Sequence, residues 1–251
     1  MADPTRRRGR PCNDGPDRPL TVQALDRALD MLDLLSLHPG LTLSEVAQRT
    51  GLPASATHRI LQTLALRGMV ERCDATQCWA VGPSSFRLGA AFLRRSGLIA
   101  RARPILQALV ARTGETANLG ILSDDGVLFV AQVESDQPIR VAFPPGTRAC
   151  LHASGIGRAM LAVNARTAPE GLCRDLARIR RRGFAFDDQG RMAGMRCVAA
   201  PIVDLSGRAV AGLSINAPAH RIGGRQVTAI GAAVAEAAAR LTAVTGEQLH
   251  L

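Results

Sequence analysis

The sequence predicts an α+β fold in two parts, a helical N-terminal unit closed by a hairpin and a C-terminal unit built on a mixed, largely antiparallel sheet. Three observations carry this. Residues 22–68 hold three short runs of helical periodicity, followed by two β segments about a turn. From Ala117 onward, short apolar strands are separated by turn signals, of which Asp124-Asp125-Gly126 is the strongest. Helical segments fall between those strands and at the chain's end, the order of an α+β domain.

Residues 1–19 are rich in Arg, Pro, Gly and Asp, the composition of a disordered arm. A first helix starts near Val22, with Thr21 as cap and Val22, Leu25, Leu29, Leu32 and Leu35 as its apolar stripe, and ends at His38-Pro39-Gly40. Thr42 and Glu45 form a capping box for a second helix that buries Leu43, Val46 and Ala47 and stops at Gly51. Pro53 opens a third, whose apolar set is Thr57, Ile60, Leu61 and Leu64. Two β segments, 69–73 and 77–81, flank the turn Asp74-Ala75-Thr76. Three helices and a hairpin in this order make a winged helix-turn-helix.

Residues 84–97 and 99–112 read as two further helices. Strands follow at 117–122, 127–133 and 139–143, helices at 154–163 and 169–182, strands at 184–186, 196–203 and 209–216, and a closing amphipathic helix at 225–245.

Composition narrows the function. Hydrophobic residues make up 47% and charged residues 21%, as in an ordinary globular protein. No apolar stretch approaches a membrane span, and no signal-peptide pattern follows Arg6-Arg7-Arg8, so the expected place is the cytoplasm, away from membranes. Net charge is +10, all of the basic residues being arginine, which suits a polyanionic partner. The excess is spread along the chain, with 13 Arg against 9 acids before Leu98 and 18 against 12 after, so charge alone does not locate a site. Six cysteines without a C-x-x-C pair, and five scattered histidines, give no metal-ligand spacing. No nucleophile elbow, P-loop or dinucleotide fingerprint is present, so neither an enzyme, a cofactor nor a metal is expected. Cys150 and His152 alternate as if on one strand face, either a thiol–imidazole pair or a structural cysteine beside a histidine. A cysteine-based sensor or enzyme using Cys150 or Cys197 is the rival reading.

The third helix carries the DNA chemistry. Its outward face holds Ser55, His58, Arg59 and Gln62: Arg59 can fork onto guanine, Gln62 can pair with adenine, and Ser55 and His58 can reach phosphates or base edges. Arg72 on the wing reads as a phosphate contact or as an ordinary solvated residue. Arg8-Gly9-Arg10-Pro11 resembles the core of an AT-hook, in which Arg8 and Arg10 would enter a narrow minor groove; the plainer reading is non-specific phosphate contact. The run Arg178, Arg180, Arg181 and Arg182 ends a helix, where the dipole favours cations.

Taken in order, Leu41-Thr42-Leu43-Ser44-Glu45-Val46-Ala47, Gly51-Leu52-Pro53 and His58-Arg59-Ile60-Leu61-Gln62 resemble the winged helix-turn-helix of the IclR family of bacterial transcriptional regulators. So do Leu151-His152-Ala153-Ser154-Gly155-Ile156-Gly157-Arg158, Gly183-Phe184-Ala185-Phe186-Asp187-Asp188, Gly194-Met195-Arg196-Cys197 and Gly212-Leu213-Ser214-Ile215-Asn216 in the second half. The resemblance implies a DNA-binding domain over 20–83, a linker helix over 84–98 and a GAF-like or profilin-like effector domain over 99–251. It implies a homodimer or dimer of dimers on double-stranded operator DNA, more often a repressor, answering to a small organic-acid-like effector. Its effector pocket carries over to Gly155, Ile156, Asp187, Cys197, Ser214 and Asn216. Asp187 also reads as a turn-capping acid and Ser214 as a plain strand hydroxyl. Backbone amides of the 155–157 turn can hold a carboxylate. Ala54 and Ala56 stand where members of the family often carry Lys and Thr, and the 161–172 stretch is short for it.

Overall fold

The computed structural model describes residues 21–123, 126–141, 143–164 and 171–245, which fall into two compact units divided between Ala90 and Ala91. The first contains α1 (Gln23–Leu37), α2 (Leu43–Thr50), α3 (Ala54–Leu66) and a two-stranded wing, β1 (Val70–Arg72) and β2 (Trp79–Val81). α4 (Pro83–Arg95) crosses the division. The second unit follows with α5 (Gly97–Thr113), β3 (Thr116–Ser123), β4 (Gly126–Val133), β5 (Arg148–Cys150), α6 (Gly155–Asn164), α7 (Cys173–Arg182), β6 (Ala185–Asp188), β7 (Met195–Val203), β8 (Ala209–Pro218) and α8 (Gly224–Thr245).

Met31, Leu35, Leu41, Val46, Leu61, Val70 and Trp79 form the first unit's core. The apolar stripe expected on α1 is only partly its buried face. Val22, Leu25 and Leu29 stand 68%, 57% and 51% exposed, whereas Met31 and Leu35 are buried. Periodicity marks which side of a helix is apolar but not what covers it. Val22 occupies the N-cap position without a side-chain hydrogen bond, so Thr21 does not cap the helix. The Thr42 capping box does form, with Glu45 accepting from the Thr42 amide at 2.8 Å.

In the second unit every neighbouring strand pair is antiparallel, in the order β5-β4-β3-β8-β7-β6. Along β3, Ala117, Leu119 and Ile121 enter the larger core with residues of α5 and α8, and Val127, Phe129, Ile156, Met160 and Cys197 enter a second one that includes α6. Two layers of helix thus cover a sheet apolar on both faces.

The expected strand at 139–143 is absent. Of those residues the described ones are irregular, and the edge strand beside β4 is β5 instead. Pro138 before it and Pro144-Pro145 after it lack the N–H groups a ladder requires. β5 also ends at Cys150, with His152 in the turn that follows, so the two do not alternate on one strand. The Asp124-Asp125 turn, the beginning of the helix expected from 169 and the arm at 1–19 lie outside the described residues.

Candidate functional site

Gly51 ends α2 in the left-handed region at φ +67°, and Pro53 starts α3 after a two-residue turn. Thr57 and Leu61 are buried against the core, and the Thr57 hydroxyl donates to the Pro53 carbonyl at 3.1 Å. With that face fixed inward, Ser55, His58, Arg59 and Gln62 are all exposed. Nε2 of His58 lies 3.3 Å from Nε2 of Gln62, one helical turn on. Arg59 borders a shallow groove between α1 and α3, together with Arg27 and Thr63. On the wing, the Arg72 guanidinium lies 5.9 Å from the centroid of the Trp79 ring. Arg8 and Arg10 lie outside the described residues.

The second candidate site is assembled by strand register. Asp187 on β6 pairs with Cys197 on β7, which pairs with Asn216 on β8. Directly opposed residues in an antiparallel sheet project to the same face, so these three form one row. Ser214, two residues back along β8, shares that face, and its partner on β3 is Asn118. The N-terminus of α6 covers the row. Gly155 has to be glycine there, because a Cβ would come within 2.6 Å of Cys197 Sγ. At Gly157 a Cβ would come within 2.1 Å of the Leu151 carbonyl oxygen. Ser154 Oγ accepts from the Gly157 amide at 3.0 Å, so that amide is already used, which leaves Gly155 and Ile156 as first-turn donors.

All six residues expected for the pocket, Gly155, Ile156, Asp187, Cys197, Ser214 and Asn216, line one cavity. The cavity is nearly closed, with room for about one water. Sequence reasoning missed Phe129, Phe143, Ser154, Arg191 and Met195, which complete the lining. Phe129 and Phe143 stack with centroids 5.3 Å apart. The Arg191 guanidinium sits over both, 4.3 Å from the Phe143 centroid and 5.5 Å from that of Phe129. Burial lowers the Arg191 pKa from its ordinary value, opposed by Cys197 and Asp187.

Arg158 was missed as well. From α6 it bridges Asp187, which is buried on β6, and Asp175 on α7 at 3.2 Å. The signal was present in the sequence: a lone arginine within the otherwise apolar Ile156–Val163 stretch needs an acid to pair with.

Cys197 is fully buried, and its pKa is pushed up to about 12 by that burial and by Asp187, so it remains a neutral thiol at physiological pH. Cys150 is exposed on the edge strand and borders a separate surface hollow with His152. Among the described residues no cluster of His, Cys, Asp and Glu could hold a metal ion, and no helix is long and apolar enough to cross a membrane. Two of the arginines ending α7 are engaged locally: Arg182 lies over the Phe184 ring at 4.7 Å, and Arg180 Nε donates to the Ala162 carbonyl at 2.6 Å.

Comparison with known proteins agrees in both units. Residues 24–74 match the IclR helix-turn-helix domain, and residues 90–170 and 164–243 match the bacterial transcriptional regulator IclR C-terminal domain. The HTH-type transcriptional regulator BhcR of Paracoccus denitrificans is 48% identical over 267 aligned positions, covering 96% of this chain and 95% of that protein. The acetate operon repressor of Salmonella typhimurium is 38% identical over 248 positions, covering 90% of each. The crystal structure of an IclR transcriptional regulator from Alicyclobacillus acidocaldarius superposes with a TM-score of 0.79 at 26% identity, covering 90% of this chain and all of that one.

Proposed function

The chain belongs to the IclR family of bacterial transcriptional regulators, whose members matched here are regulators and not enzymes, and on that premise we propose that it is a repressor whose operator binding is controlled by a small organic acid. α3 enters the major groove with Ser55, His58, Arg59 and Gln62, while Arg72 and the arm bearing Arg8 and Arg10 contact the backbone. The observation that carries the effector half is the convergence of six residues from four separate segments on one cavity. A buried Asp, Ser and Asn set in an apolar lining is the composition of a small-molecule site. The neutral Cys197 thiol and the absence of a strand pairing Cys150 with His152 favour this reading over a cysteine-based sensor.

A footprint on the DNA upstream of this chain's own gene, repeated with candidate acids, tests both halves. Ser214→Ala is expected to weaken the response to the acid while leaving ligand-free operator binding nearly intact. An effector shifts occupancy only through its differential affinity for the two states. Equal midpoints and amplitudes for wild type and variant would remove Ser214 from the pocket, and loss of operator binding without ligand would make its role structural.

The same reading includes a two-fold assembly, because one winged helix covers one half-site. α4 supports it: none of its residues is buried, and Phe86, Leu88 and Leu93 are 76%, 56% and 39% exposed. Sedimentation at micromolar concentration should therefore give a dimer or larger species. A monomer both with and without DNA contradicts the assembly.

A further inference from the structure

We infer that Arg191 is the residue that captures the effector through its carboxylate. This rests on the effector reading above and deepens it, since Arg191 lies outside the six residues carried over by resemblance.

The charge balance of the cavity is the first ground. Asp187 lines it, but Arg158 neutralises Asp187 through a direct ion pair, and Cys197 is a neutral thiol. Arg191 is the cation left over in the lining. Its guanidinium rests on the Phe143 and Phe129 rings and donates no hydrogen bond to any described residue, although a guanidinium carries five donors. A half-buried cation held on ring faces, its donors not spent on any described residue, is a ready partner for a carboxylate, which it can take in a bidentate fork.

The position of Arg191 is built rather than incidental. Its backbone amide donates to Asp187 Oδ2 at 3.3 Å, which ties the residue to the paired carboxylate. At Gly190 a Cβ would come within 2.6 Å of Asp187 Oδ1, so the chain before Arg191 passes close against the same group. A second orphan donor faces the same side of the sheet. Asn118 Nδ2 is fully buried without a partner, and Asn118 stands opposite Ser214 in register. The cavity as it stands has room for about one water among Ile156, Met195 and the two phenyl rings, so an acid enters only with movement of the lining, the Arg191 side chain included.

The test is calorimetric titration of the full-length protein with acetate, lactate and pyruvate and with their uncharged primary amides, at fixed ionic strength. Wild type, Arg191→Gln, Arg191→Lys and Ser214→Ala are compared, with circular dichroism to verify folding. The expected result is that at least one acid binds wild type at least tenfold more tightly than its amide. Arg191→Gln should lose at least tenfold for that acid and little for the amide, and Arg191→Lys should retain part of the preference. If Arg191→Gln or, should that variant fail to fold, Arg191→Lys binds the acid as wild type does, Arg191 is not the capturing residue. If Ser214→Ala is impaired in that same experiment, the pocket itself stands. If wild type binds none of the acids, or binds each no more tightly than its amide, Arg191 captures no carboxylate and the proposal falls.

Discussion

Replacing Arg158 by alanine lowers the stability of the C-terminal unit by about 3–5 kcal/mol, the expected cost of breaking a buried ion pair by removing one partner. The guanidinium side chain is 15% exposed, and those of Asp187 and Asp175 are 5% and 22% exposed. Its removal leaves Asp187 charged at the bottom of an apolar cleft, and it cuts a tie that joins α6, α7 and β6. Most of the loss is the desolvation of a stranded charge rather than the worth of the contact. The double variant Arg158→Ala with Asp187→Asn should therefore recover part of it. The probes are separable because the only tryptophan, Trp79, belongs to the first unit's core and the chain has no tyrosine. Chemical denaturation followed by circular dichroism should shift for Arg158→Ala, whereas the Trp79 fluorescence transition should hold its midpoint. If circular dichroism finds less than about 1 kcal/mol of loss, the bridge is a surface-grade pair and does not fasten the pocket.

Arg59→Ala and Gln62→Ala should each weaken operator binding by about 1–3 kcal/mol and relax specificity at one base pair. Their positions motivate this. Thr57 and Leu61 hold α3 against the core, which leaves Arg59 and Gln62 exposed on the helix's other side. Gln62 also leans on His58, so part of its effect passes through the His58 ring. The two effects need not add, because the side chains lie on one face three residues apart. Band-shift titrations at fixed salt against operator and unrelated DNA give the measurement. Arg72→Ala provides the contrast: if Arg72 contacts phosphate, its loss weakens both DNAs alike and reduces the salt slope by about one. Wild-type footprints from both α3 variants would remove α3 from base reading.

Much of this was legible from local pattern. The capping box at Thr42, the glycine stop at Gly51 and the inward pair Thr57 and Leu61 all rest on chemistry within a few residues, and each formed. The described residues of 139–143 form no strand, and the prolines on either side, which lack the N–H groups of a ladder, were a signal that the sequence itself carried. On α1 the apolar period was real, but its N-terminal part stays exposed in the single chain.

The sequence by itself determined the two-part α+β order and the exposed polar face of α3, and through resemblance it pointed to six residues that line one cavity. Only the tertiary structure decided what surrounds them. Asp187, Cys197 and Asn216 become a row through strand register, since opposed residues share a face and a slip of one would send them to the other. Arg158 and Arg191 are arginines in a chain that has many. Their difference lies in which acids and rings the fold brings within reach, and that is set by contacts between segments far apart in the chain.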